Sequence, residues 1–168
     1  MIYKLEKITL TPYYNLAEMQ DMMRNVKTEG SQQGRLFSFY SKESNDTNII
    51  FALLFNAGGK DKIIGRVSLE EINYINRTAE LKVFILPAYM KKGYGFEACK
   101  TAIEHAFEQL GLNRVEAGTL SNNEGFQKLA VKLGMKEEGR RRKAVWKKGD
   151  FVDVIEYGIL RGDSSEQE

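Results

Sequence analysis

Apolar residues run almost unbroken from Ile49 to Phe55, the pattern of a strand covered on both faces. Ile63–Ile72 and Thr78–Leu86 are two more strand-like runs, set off by Ala57-Gly58-Gly59-Lys60-Asp61 and by Asn73–Arg77. Three such runs divided by short polar turns predict an antiparallel meander. The period then changes. Phe96, Cys99, Ile103, Ala106, Phe107 and Leu110 recur at helical spacing, which predicts a helix with Gly111 as its C-cap. Arg114–Leu120 reads as a strand, and it has to lie parallel to the Thr78–Leu86 strand because a helix joins the two. Asn122 or Asn123 opens a second helix, with Phe126, Leu129, Ala130 and Leu133 inward and Gly134 at its end. Met135–Trp146 and Phe151–Leu160 then form a hairpin around Lys147-Lys148-Gly149-Asp150.

The first third is less regular. Tyr3–Leu10 predicts a strand. Asn15, three residues before Glu18, resembles a capping box, with Leu16, Met19, Met23 and Val26 following at helical spacing. Residues 28–47 are polar around Leu36-Phe37-Ser38-Phe39-Tyr40 and read as a loop or a short helix. The predicted order β, α, β-β-β, α, β, α, β-β is that of a mixed α/β three-layer domain.

Bulk composition narrows the class. The 168 residues are 42% hydrophobic and 29% charged, with a net charge of +2. That length suits one domain with a real core, expected over residues 1–162, with a polar tail at 163–168 expected to fray. So small a net charge gives no global field for nucleic acid or an anionic membrane. The single cysteine, Cys99, excludes an internal disulfide and suits a reducing, cytoplasmic setting. No apolar run approaches the roughly 18 residues of a membrane span, and no signal-peptide pattern opens the chain. The one histidine, His105, falls on a polar helix face with Glu97, Thr101 and Glu108, so a surface position is expected. No cysteine and histidine cluster points to a metal. Arg140-Arg141-Arg142-Lys143 with Trp146, Lys147 and Lys148 is a local basic patch. Because its side chains alternate faces on a hairpin, it reads as a solvated surface rather than a nucleic-acid site, though it would also suit an anionic substrate.

The stretch with most chemistry is Pro87–Ala98. A strand runs into Met90-Lys91-Lys92-Gly93-Tyr94-Gly95, and a helix follows. Glycines at a helix start let backbone approach a ligand, and the N–H groups there favour a phosphate. The same residues also suit a plain strand-to-helix turn.

Three stretches together resemble the GCN5-related N-acetyltransferase (GNAT) superfamily. Glu71–Val83 is similar to the second-to-third strand hairpin of spermidine acetyltransferases. Met90–Gly95 resembles the Gln/Arg-x-x-Gly-x-Gly/Ala acetyl-CoA signature. Asn123–Gly139 resembles the asparagine-bearing helix and its Leu-Gly-Phe exit. The likeness covers roughly residues 62–160, and within the superfamily it is nearest the ribosomal-protein alanine and spermidine N-acetyltransferases. It implies a mostly antiparallel mixed sheet of about seven strands flanked by helices on both faces, and acetyl-CoA as co-substrate without a metal.

The resemblance also implies roles. Backbone N–H groups of Met90, Lys91, Lys92, Gly93, Tyr94 and Gly95 would bind the coenzyme A pyrophosphate, with Met90 replacing the usual Gln or Arg and Lys91 or Lys92 supplying charge. The backbone of Val83, Phe84 and Ile85, on a strand that splays from its parallel neighbour, would hold the pantetheine arm and polarise the thioester. Asn123 would contact that arm, or serve only as a helix cap. Glu80 is the candidate general base, with a solvated strand-end carboxylate as its plainer reading; Glu70 and Glu71 are weaker candidates. The family's tyrosine and serine acids fall on Ala130 and Phe126, so neither is present; a thiolate leaving group need not require an acid, and a tyrosine such as Tyr94 or Tyr157 could substitute. The implied activity is acetyl transfer to a primary amine: a protein N-terminus, a polyamine, an aminoglycoside-like compound or an amino sugar. Residues 1–60 hold 6 acidic and 7 basic residues, which shows no enrichment for a polyamine pocket. The alternative class is a catalytically weak acyl-CoA sensor or partner module. A homodimer is compatible with either.

Overall fold

The computed structural model describes residues 11–12, 34–36, 39–40, 47–57 and 60–166. The strand expected over Tyr3–Leu10 and the helix expected after Asn15 lie outside them. Described strands are β1 (Thr11–Pro12), β2 (Gly34–Leu36), β3 (Phe39–Tyr40), β4 (Ile49–Ala57), β5 (Lys60–Asn73), β6 (Thr78–Ile85), β7 (Arg114–Leu120), β8 (Lys136–Lys147) and β9 (Asp150–Leu160). The helices are α1 (Tyr94–Glu108) and α2 (Glu124–Lys132). Of the stretch 28–47, read as a loop or short helix, the described Gly34–Leu36 and Phe39–Tyr40 are brief strands, and residues 28–33, 37–38 and 41–46 lie outside the described residues.

Seven strands form one sheet in the order β2-β4-β5-β6-β7-β9-β8, and only the β6–β7 neighbours in it are parallel. That is the expected mixed, mostly antiparallel architecture. The continuous apolar run of β4 has the predicted cause. Ile49, Phe51, Leu53 and Phe55 are buried on one face, and Ile50 and Ala52 on the other. One face carries Leu69, Leu81, Val115 and Ile155, and Ala98, Cys99, Ala102, Ala106 and Phe107 of α1 complete a core with them. Small residues on this helix allow close approach to the sheet, and each buried aliphatic or aromatic side chain contributes about 1.5–3 kcal/mol. Ala130, Leu133 and Met135 close the core at the α2 end.

Helix ends follow the predicted punctuation with a small shift. α1 stops at Gln109 rather than at Gly111, but Gly111 takes φ 66° and lets Leu112 N–H donate to the Ala106 carbonyl. Asn123, not Asn122, caps α2. Lys148 and Gly149 have φ 51° and 88°, the paired left-handed conformation of a two-residue hairpin. At the start of the tail, Arg161–Glu166 forms a short 3₁₀ helix, and Asp163 accepts from Leu160 N–H at 3.1 Å. No helix among the described residues is long and apolar enough to cross a membrane.

His105 departs from its surface expectation. It is half-buried and meets Phe51 edge-on at 5.3 Å, and burial lowers its pKa. Cys99 is fully buried on α1, and desolvation pushes its thiol up to about 12. Since the thiolate is the reactive form, alkylation of the folded protein is expected at least about a hundredfold slower than in denaturant. Equal rates by mass spectrometry would contradict this packing.

Candidate active site

The two parallel strands part almost at once. β6 and β7 pair through Thr78–Arg114, Ala79–Val115 and Glu80–Glu116, and there the ladder ends. β6 continues against β5 as far as Ile85, and β7 against β9 as far as Leu120. From Leu81 onward the β7 side of β6 therefore has no strand partner. Val83, Phe84 and Ile85 all fall in this unpaired stretch. Val83 and Ile85 pack on the core, while Phe84 turns to the exposed face.

Gly65 shapes the end of β6. It pairs with Ile85, and Leu86 N–H donates to the Ile64 carbonyl at 2.8 Å. A methyl group at Gly65 would run into the Phe84 carbonyl oxygen and lie 3.1 Å from Ile85 Cα. A strand glycine often marks such a close backbone approach.

The chain then passes through a 3₁₀ turn at Pro87–Tyr89 into the glycine turn. Lys91 has φ 59° and Gly93 φ 90°, and no side chain caps α1. At such a helix start the first-turn N–H groups have no intrahelical acceptor, and the dipole favours an anion. Met90, Lys91 and Lys92 are exposed, and the Lys92 ammonium lies 5.4 Å from the centre of the Tyr89 ring. Tyr94 lies 6.0 Å from Phe55 and 6.5 Å from Tyr89. At Gly95 an added methyl would make ordinary contacts of 3.7 Å to Ile85 and 3.9 Å to Leu129, so packing does not demand glycine there. An uncapped start to a fifteen-residue helix, a left-handed glycine and two adjacent lysines fit a pyrophosphate.

Asn123 begins α2 beside the open end of β7. Its Oδ1 accepts from Phe126 N–H at 3.3 Å, and its Nδ2 donates to Thr119 Oγ1 at 3.1 Å. The cap reading holds, and the buried Thr119 hydroxyl that orients the amide was not singled out in the sequence.

On the face opposite the core, carboxylates line up across three strands: Glu70 faces Glu80, and Glu80 faces Glu116. Like charges directly opposite are unfavourable, and Lys82 offsets them. Its ammonium donates to Glu70 Oε2 at 2.8 Å and meets Glu80 Oε2 at 3.0 Å. Ser68 Oγ donates to the other Glu70 oxygen at 2.7 Å. Burial pushes the Glu70 carboxyl up, but the Lys82 and Ser68 hydrogen bonds and the charges of Lys82 and Arg66 outweigh it and hold Glu70 below its usual range. The Glu70 bond, opposed by partial burial and helped by Glu80, raises Lys82 above the ordinary lysine value. Lys82 was missed by sequence reasoning, although Glu80 and Lys82 at strand period share a face. Arg114 satisfies Glu116 at 3.1 Å and also pairs with Glu138.

The remaining candidates separate clearly. Glu71 sits at an irregularity in β5 with φ 52°, its N–H donating to Asn48 Oδ1, and its side chain is exposed. Ala130 is buried and Phe126 packs on the core, so α2 offers no acid at either position. Tyr157 is buried in the core, where desolvation raises its pKa, whereas Tyr94, between Gly93 and Gly95, is the first residue of α1. On the basic hairpin, Arg140 pairs with Asp153 at 3.4 Å and Arg141 with Glu156 at 2.6 Å, which favours the solvated-surface reading.

Comparison with known proteins agrees with this geometry. The family model for the acetyltransferase (GNAT) domain matches residues 4–136. The putative ribosomal N-acetyltransferase YdaF of Bacillus subtilis (strain 168) is 26% identical over 94% of this chain and 85% of its own length. Spermidine N(1)-acetyltransferase of Vibrio cholerae is 31% identical over 59% of this chain and 57% of its own. The dodecameric spermidine N-acetyltransferase structure from Vibrio cholerae superposes with a TM-score of 0.68 at 26% identity, covering 74% of this chain and 71% of that one.

Proposed function

The chain belongs to the GNAT acetyltransferase family and is an N-acetyltransferase, and on that premise we propose that it moves the acetyl group of acetyl-CoA to a primary amine by direct attack on the thioester. The observation that carries this reading is the early parting of β6 from β7 immediately before an uncapped glycine turn. The first-turn N–H groups of α1, with Lys91 and Lys92, would hold the pyrophosphate. The unpaired backbone of Val83, Phe84 and Ile85 would hold the pantetheine arm and polarise the carbonyl as charge develops on its oxygen. Asn123 would contact the arm through the part of its amide not used in capping. Bound acetyl-CoA supplies the activated acyl group.

The acceptor amine, with a pKa near 10, arrives protonated at neutral pH. Glu80 is the last β6 residue paired with β7 and would take its proton, directly or through one water. Departure of the thiolate, whose acid has a pKa near 8.5, needs no strong acid, so Ala130 and Phe126 do not forbid turnover. Two relatives' names set the leading acceptor classes, a ribosomal protein and a polyamine. The same missing acids favour a second reading, an acyl-CoA-binding module without turnover.

Saturating acetyl-CoA is expected to raise Tm by about 5–10 °C, as binding at a hundredfold excess over Kd contributes about 2.7 kcal/mol. No shift at millimolar ligand would remove the glycine-turn assignment. Thiol release across a panel of amines and peptides with free N-termini then separates a transferase from a binding module.

A further inference from the structure

We propose that Lys82 is a specificity determinant: it acts as a built-in counter-ion to the Glu70 and Glu80 carboxylates and selects against acceptors that carry a second positive charge. The inference rests on the acceptor amine reaching Glu80, and it narrows the acceptor class beyond the transferase reading. Lys82 follows Glu80 by two residues on β6, so the two side chains leave the sheet on the same face. Its ammonium lies between Glu70 Oε2 at 2.8 Å and Glu80 Oε2 at 3.0 Å. Cross-strand register fixes this arrangement, since Glu70 lies opposite Glu80 and Ser68 opposite Lys82. Ser68 takes up the second Glu70 oxygen. Glu116, the third carboxylate of the row, is engaged by Arg114.

The row is therefore acidic in sequence but largely neutralised in space. A monoamine can present its single ammonium to Glu80 and leave Lys82 on Glu70. A diamine brings a second ammonium into a site where Glu70 already has its cation, and that charge meets Lys82 instead of a free carboxylate. Like charges a few ångströms apart at a partly desolvated surface repel strongly enough to govern specificity. By this reasoning the chain favours a singly charged acceptor, such as a monoamine or a peptide N-terminus whose neighbouring groups are neutral or anionic.

The test compares n-butylamine with 1,4-diaminobutane, which differ at one end by an added amino group, in a thiol-release assay with the full chain and acetyl-CoA. Wild type is expected to prefer the monoamine, and added salt should narrow the preference, since the repulsion is screened. Lys82→Gln should raise the diamine-to-monoamine ratio of kcat/KM by about tenfold or more, chiefly through the diamine KM, while Lys82→Arg should leave it unchanged. A general loss of activity or of folded protein cancels in that ratio. A ratio unchanged in Lys82→Gln, or raised equally in Lys82→Arg, overturns the inference. Should wild type acetylate neither amine, the inference is judged by calorimetric binding of 1,4-diaminobutane. Lys82→Gln then strengthens binding if Lys82 screens the carboxylates and leaves it unaltered if it does not. Failure of the transferase reading is seen separately, as absence of thiol release across the whole amine panel.

Discussion

Replacing Gly65 with alanine is expected to destabilise the protein by about 3 kcal/mol, a drop in Tm of about 6–12 °C for a chain of this length. The cause is local and leaves little room to relax. The new methyl would press on the Phe84 carbonyl oxygen and lie 3.0 Å from Ile85 Cδ1, so the neighbouring backbone itself must move. Gly118→Ala is the natural comparison. There the tightest approach is 3.0 Å to a Glu156 carboxylate oxygen, the far end of a flexible side chain, and a cost under about 1 kcal/mol is expected. Because Phe84 and Ile85 also belong to the unpaired end of β6, Gly65→Ala should raise the KM for acetyl-CoA as well. Thermal denaturation of the two variants decides the matter: similar melting temperatures would mean that β6 does not press on β5 at this point.

Glu80→Gln is expected to lower kcat/KM for a primary amine by about a hundredfold or more at neutral pH, the range of a lost general base. The amide keeps the size of the carboxylate and can still accept from Lys82, so folding and the KM for acetyl-CoA should change little. The pH dependence gives the more telling readout. As the pH approaches the acceptor's own pKa near 10, solvent deprotonates the amine and the deficit should shrink. Full activity at pH 7 would dismiss Glu80 as base. A deficit of constant size across the pH range would point to a binding role for it instead.

Much of this arrangement could be read from the chain, and the exceptions have physical reasons. The β4–β5–β6 meander, α1, β7 and the last hairpin were legible because their apolar period is long and their turns carry Gly, Asn and Lys-Gly signals. The glycine turn was legible from Gly93 and Gly95. The short strands at Gly34–Leu36 and Phe39–Tyr40 were not, because two or three residues carry no measurable period. His105 misled because a helix face that is polar in sequence still meets Phe51 of the adjacent sheet. Lys82 escaped for a different reason. Its role comes from Glu70, twelve residues earlier, and only the β5–β6 register brings the two together. The acceptor side of a site built across strands is a property of pairing, which local pattern does not encode.

The brevity of the β6–β7 ladder also bears on the mechanics of the molecule. Three residue pairs join a four-stranded leaf, β2-β4-β5-β6, to a three-stranded leaf, β7-β9-β8. Backbone hydrogen bonding thus divides the sheet along a crease, and α1, packed against β5, β6 and β7, is the clasp across it. Opening that crease by a small angle disturbs few strand hydrogen bonds, whereas bending across β4-β5-β6 or across β7-β9-β8 would break many. Among the described residues stiffness is therefore directional: the β4-β5-β6 and β7-β9-β8 ladders resist bending more than the line between β6 and β7 does.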